Sequence, residues 1–155
     1  MNLGKENETT EFKETTSELR QALMDMSAIL NKHGKGLLYF GVKDWGDVCG
    51  MQVGKDTRKN ITQEIRAHIK PLCMFEIKEL VTDDKTFIEV TFSGDNPPYS
   101  AYDRYYLRFD EQSPIMEREQ LMLILCLSIM IILNGKTMIL LNQSILWTTL
   151  LLKIT

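Results

Sequence analysis

Leu19, Ala22, Leu23, Met26, Ile29 and Leu30 recur at intervals of three and four residues, the spacing of one helical face. They predict a helix of about four turns. Thr15, Thr16 and Ser17 offer N-caps, with Glu18 in the first turn where the dipole favours an acid, and Gly34 and Gly36 end the helix. Leu37–Val42 is an unbroken apolar run of strand length. Asp44-Trp45-Gly46-Asp47 turns the chain, and Val48–Met51 is expected to pair back as a hairpin. Ile61, Ile65 and Ile69 repeat every four residues in a second helix, from about Thr57 to Lys70, which Pro71 stops. Phe75–Val81 and Phe87–Phe92 flank Asp83-Asp84 as a second hairpin, and Gly94–Pro98 reads as a loop. Tyr105–Phe109 reads as a last strand, and Ser113-Pro114 opens a short helix carrying Glu117, Arg118 and Glu119. The order α-β-β-α-β-β-β predicts a single α+β domain over residues 1–119, with helices packed on a mixed sheet built from hairpins.

From residue 120 the pattern changes. Leu121–Leu133 is apolar except for Cys126 and Ser128, and Met138–Leu141 and Ile145–Trp147 follow Asn134-Gly135-Lys136. Each run falls short of the ~20 residues a membrane-crossing helix needs. A membrane anchor, a buried oligomerisation element and a stretch translated out of its original frame compete to explain residues 120–155. The abrupt loss of charge and periodicity favours the last, and a membrane partner is not favoured.

Charge narrows the functional classes. Residues 1–113 hold 15 Lys/Arg and 19 Asp/Glu, and the whole chain carries a net charge of −3. A mildly acidic chain does not coat nucleic acid avidly through counterion release, so any such site is a local patch. Cys49, Cys73 and Cys126, with His33 and His68, form no ligand pair at metal spacing and read as inert thiols. The N-terminus shows no apolar signal region, so a cytoplasmic location is expected.

Three groups of residues carry candidate chemistry. Glu6 and Glu11 lie five apart in the leader, and Asp44 follows the first apolar strand. If the leader docks beside that hairpin, the three carboxylates converge as oxygen ligands for Mg²⁺ or Mn²⁺. On spacing alone the plainer account is that Glu11 and Glu14 complement the helix dipole and Asp44 caps a turn. The loop Asn31-Lys32-His33-Gly34-Lys35-Gly36 offers backbone amides for a phosphate, with Lys32, Lys35 and Lys43 nearby; from spacing alone a plain helix stop is the better account. It lacks the Gly-Lys-Ser/Thr run of a Walker loop, so the motifs do not support ATP. Tyr99, Tyr102, Arg104, Tyr105, Tyr106 and Arg108 interleave rings and guanidiniums, as single-strand binders do and as an edge strand with half its tyrosines in the core also would.

In this order the pieces resemble the Schlafen-type AlbA-like domain. The matching residues are Glu6, Glu11-Phe12-Lys13, Ala28–Asn31 leading to Gly34 and Gly36, and Gly41-Val42-x-Asp44-x-Gly46-x-Val48-x-Gly50. Ile65, Ile69-Lys70-Pro71, Pro97-Pro98 and Tyr105–Arg108 complete the pattern, over about residues 4–119. The family's Asn-Thr-x-Gly-Gly loop is replaced here by Asn31–Gly36.

The resemblance implies binding of single-stranded DNA or structured RNA, with Arg104 and Arg108 on phosphates and Tyr102 and Tyr105 stacking on bases. By analogy with metal-dependent endoribonucleases among the animal relatives, it also implies a nuclease alternative. There Glu6, Glu11 and Asp44 hold Mg²⁺ or Mn²⁺ and Lys13 steadies the charge developing on phosphate. Those relatives cradle RNA between two lobes, so this chain would do so as a homodimer. A third alternative is an orphaned regulatory or oligomerisation module.

Overall fold

The computed structural model describes residues 1–133. A short parallel edge opens the fold. Strand β1 (Thr10–Lys13) pairs in parallel with β2 (Lys35–Phe40), and between them helix α1 (Leu19–His33) crosses over the sheet. Thr15 caps a 3-10 turn at Thr16–Glu18 that leads into α1. It forms a capping box, with the Glu18 carboxylate accepting from the Thr15 amide. Gly34 ends α1 in the left-handed region at φ 72°, as the periodicity predicts, and its amide returns to the Leu30 carbonyl.

The main sheet runs β1-β2-β5-β4. Strands β4 (Met74–Thr82) and β5 (Lys85–Ser93) form the hairpin expected around Asp83-Asp84, both of which have positive φ. The apolar face of α1 packs on this sheet: Leu23, Met26, Ile29 and Leu30 meet Leu38, Phe40, Val90 and Phe92 in one core. Helix α2 (Thr57–His68) adds Ile61 and Ile65. A smaller core of Phe12, Val42, Val48 and Phe87 fills the other side of β1 and β2.

Several elements differ from expectation. Val48–Met51 does not form a strand; only a Val42–Val48 bridge closes the turn. The leader occupies that edge instead, with the Leu3 amide donating to the Gly46 carbonyl at 2.8 Å and the Val48 amide to Met1. The second helix stops at His68. Ile69–Lys70 becomes strand β3, because Lys70 precedes Pro71 and extended backbone is favoured there. This strand pairs with β6 (Ser100–Ala101), which pairs with β7 (Arg104–Tyr105), making a small three-stranded ribbon.

Beyond Tyr105 the expected last strand continues only as the isolated bridges Tyr106–Ile115 and Phe109–Gln112, as residues 114–116 fold back on it. The Leu107 amide donates to the Pro114 carbonyl, and the Met116 amide to Tyr105. The helix expected after Pro114 therefore starts later and runs farther, as α3 (Arg118–Leu133). The apolar tail falls within α3 as far as Leu133, and its continuation over 134–155 lies outside the described residues.

Candidate functional site

Glu11 and Lys13 are two apart on β1 and so share one face of the strand. That face meets Asp25 of α1 and Arg108, just beyond β7. Lys13 Nζ lies 2.5 Å from Glu11 Oε1 and 3.2 Å from Asp25 Oδ2. Arg108 Nη2 lies 2.6 Å from Glu11 Oε2, and its Nη1 is 3.6 Å from Asp25 Oδ1. The guanidinium also donates to the Asn7 carbonyl and to Ser113 Oγ. Arg108 is wholly buried, and two acids and two bases balance in a closed quartet. Burial first, and then the charge of Asp25, push the Glu11 carboxyl up to about 7 against the pull of Lys13 and Arg108. Lys13 is held above its usual range: burial opposes its charge, but Asp25 and Glu11 outweigh it.

The leader does dock beside the turn at residues 43–48, as the carboxylate reading requires. Asn2 Nδ2 donates to Asp47 Oδ1 at 2.7 Å and to the Trp45 carbonyl. Glu6 and Asp44 then approach closely enough to interact. Glu6 is raised from its ordinary value mainly by burial, with the Asp44 charge adding to it, while the Phe12 amide donates to its Oε1 at 2.7 Å. Glu11 does not join them as a free ligand, because both its oxygens accept from cationic side chains. Among the described residues no three His, Cys, Asp or Glu side chains are grouped to hold a metal ion. The carboxylates as arranged therefore do not fit a three-acid Mg²⁺ or Mn²⁺ centre.

The glycine loop shrinks to Gly34 alone. Asn31 is buried and clamps the chain far downstream: Nδ2 donates to the Tyr99 and Tyr106 carbonyls at 2.8 Å, and Oδ1 accepts from the Tyr99 amide at 2.6 Å. Gly36 lies within β2, where a Cβ would stand 2.7 Å from Ile29 and Phe92 carbons and 2.8 Å from the Thr9 carbonyl. These residues close the fold; the phosphate reading assigned them elsewhere. Lys32 and His33 both reach Glu8, at 2.5 and 2.8 Å. Burial would raise Glu8, but Lys32, the Asp110 amide and His33 hold it below its usual value. Lys43 Nζ lies 5.0 Å from the Trp45 ring centroid, and Lys35 is exposed at the start of β2.

The aromatic-basic segment divides. Tyr102 stacks on His68 with centroids 4.1 Å apart, and the Arg20 guanidinium sits 4.3 Å from the same centroid. Two flat groups that close cannot share one face, so both faces of the ring are covered. Tyr105 is half-buried against the cluster of Leu107, Met116 and Ile124. Arg108 belongs to the buried quartet, so the structure moves it from the expected phosphate contact into the core. Arg104 stays exposed.

What remains is a cationic edge that periodicity did not reveal. In the ribbon, β6 is central: Ser100 pairs with Lys70 and Tyr105, Ala101 with Ile69 and Arg104. Exposed Lys70 and Arg104 lie on the two outer strands in adjacent rows, so they project from opposite faces of the ribbon. Arg20 and His68 flank them through Tyr102. Beside the ribbon, a cleft of ≈ 590 Å³ opens between the Leu72–Met74 and Ser93–Asn96 segments, with Lys35 and His33 on its rim and Tyr99 in its lining.

A family model described as Schlafen, AlbA_2 matches residues 6–117, most of the chain. The chain belongs to the Schlafen, AlbA_2 family. The match spans β1 through the fold-back at residues 114–116, so it covers both the buried quartet and the cationic edge. The solved DIP2311 protein from Corynebacterium diphtheriae is similar in fold, with a TM-score of 0.56 at 16% identity. That alignment covers 73% of this chain and 23% of the other, so this AlbA_2 chain corresponds to less than a quarter of that protein. No curated protein matches it. Family membership associates the chain with nucleic acid in general. Among the described residues no helix is long and apolar enough to cross a membrane.

Proposed function

We propose that this AlbA_2 domain binds nucleic acid, as single-stranded DNA or structured RNA. In this reading a strand runs from Lys35 across the adjacent cleft to the β3-β6-β7 ribbon. The observation that carries it is the exposure of Lys35, Lys70 and Arg104 along β2, β3 and β7, with Arg20 beside Tyr102, while Lys13, Lys32 and Arg108 are engaged internally. Exposed cations are the groups that contact a strand's phosphates. The alternative nuclease reading requires Glu11 to leave Lys13 and Arg108 before it can share a cation with Glu6 and Asp44. The geometry therefore favours holding over cutting.

Titrating labelled single-stranded DNA and transfer RNA with the wild type and with Lys70→Ala/Arg104→Ala tests the path. Binding to the wild type should weaken with salt, and the double variant should lower the log–log salt slope by about 0.7 for each phosphate it no longer neutralises. Equal affinity and equal slope in both proteins would remove the ribbon from the interface.

A further inference from the structure

The cleft beside the ribbon sits at one end of the main sheet, where β2 and β4 begin and β5 ends. Lys35 is paired with Ser93, and Ser93 with Met74, so the three form one row across β2, β5 and β4 and project from one face of the sheet. Two strand spacings separate Lys35 from Met74, about 10 Å. The two sides of the cleft differ in chemistry. Leu72 and Met74, 63% and 78% exposed, give one side an apolar surface, while Cys73 between them turns into the core. The Ser93–Asn96 segment opposite is polar. Its Asp95 and Asn96 side chains are exposed, and among the described residues neither is hydrogen-bonded. The floor is pinned at three points. Asn31 holds the Tyr99 backbone, the Asn96 amide donates to the Tyr99 hydroxyl at 3.1 Å, and the Gly94 amide donates to the Gly34 carbonyl at 2.8 Å.

We propose that this cleft seats one unpaired guanine of the bound strand, an inference that rests on the nucleic-acid reading above. The base lies on Leu72 and Met74, and Lys35, at the other end of the row, takes the adjoining phosphate. Asp95 accepts from the guanine N1–H and 2-amino groups, and Asn96 donates to O6. Unpaired bases are held in this way, with one face on a side chain, the Watson–Crick edge on polar groups and the phosphate on a cation. A cleft of ≈ 590 Å³ is ample for one nucleotide. Asp95 selects the base. An ionised carboxylate accepts at both oxygens and donates at neither. On its Watson–Crick edge guanine alone presents two adjacent donors, whereas adenine, cytosine and thymine each set at least one acceptor against the carboxylate. In the path of a polyanion an unpartnered carboxylate weakens binding, and guanine gives Asp95 its partner.

Fluorescence anisotropy tests this on the full chain with labelled thymidine nonamers, either all-thymine or carrying a central guanine, adenine, cytosine or hypoxanthine. The wild type should bind the guanine nonamer about tenfold more tightly than the adenine, cytosine and all-thymine ones. Hypoxanthine, which keeps N1–H but lacks the 2-amino group, should lose most of that preference. Asp95→Asn should lose it too, and Lys35→Ala should weaken binding to all five nonamers while keeping it. Equal wild-type affinities for the five would overturn the guanine seat and leave the strand reading standing. No binding to any nonamer would overturn both. A preference for guanine that survives Asp95→Asn would place the selection outside this cleft and overturn the proposal. Free GMP should displace the guanine nonamer only in large excess, because it lacks the flanking phosphates. Displacement at equal concentration would make the cleft a mononucleotide site and overturn its place on a strand.

Discussion

Arg108 and Glu11, ninety-seven positions apart in sequence, meet at 2.6 Å in the core and join the end of the fold to its first strand. Lys13 and Asp25 complete the quartet, so no member is buried alone. Such a cluster adds little net stability over an apolar replacement, but removing one partner leaves an uncompensated charge. Glu11→Ala, which strands Lys13 and Arg108, should cost about 3–5 kcal/mol in urea denaturation. A loss under about 1 kcal/mol would mean that Glu11 is free in solution and available as a ligand.

The same carboxyl makes stability depend on pH. Burial and Asp25 raise Glu11 from 4.5 to about 7 in the folded chain. A folded value above the unfolded one means that folding takes up a proton between them, so this stability is complete below about pH 4.5 and is lost as pH rises through about 7. The melting temperature of the wild type should therefore fall relative to Glu11→Gln between about pH 5 and pH 7.5, then run parallel to it. A difference that stays constant, or a wild type that gains on Glu11→Gln as pH rises, would contradict the raised value.

Asn31 should act on the fold before it acts on any ligand. Asn31→Ala orphans two buried carbonyls and an amide at Tyr99 and Tyr106, and each orphan costs about 1–3 kcal/mol, lessened where water reaches it. A thermal melt well below the wild type's is expected. Unchanged stability with lost nucleic-acid affinity would restore Asn31 to a phosphate loop.

Gly36→Ala should likewise destabilise, by about 1–3 kcal/mol. The added methyl meets Ile29, Phe92 and the Thr9 backbone at once, and the backbone cannot step aside. Guanidinium unfolding measures the cost; a neutral result would show that β1 and α1 pack more loosely there.

Much of the fold was legible because its signals are local. The three- and four-residue spacing of Leu19–Leu30 marked α1, and Asp83-Asp84 marked the β4-β5 hairpin. Strand β1 was not legible, because it is four residues long, only Phe12 in it is apolar, and the charged Glu11 and Lys13 fill the face toward α1. Arg108 was misplaced because its countercharges come from β1 and α1, and nothing near Tyr105–Phe109 announces them. The leader does dock beside the Asp44 turn, the condition on which the carboxylate reading depended. The carboxylate spacing could not show that Lys13, two residues beyond Glu11, would reach back to it. The placement of Lys70 and Arg104 on the outer strands depended on β3, β6 and β7 pairing, and two-residue strands leave almost no pattern.

Whether the domain holds RNA or cuts it is decided most directly by the fate of the bound RNA itself. Labelled transfer RNA is incubated with the wild type, with and without Mn²⁺, and each sample is run on a native and a denaturing gel. A shifted band on the native gel and full-length RNA on the denaturing gel are expected, with metal or without. Fragments that require Mn²⁺ and disappear in Glu11→Gln and Asp44→Asn would contradict the holding role, and would show Glu11 leaving Arg108 to serve a metal.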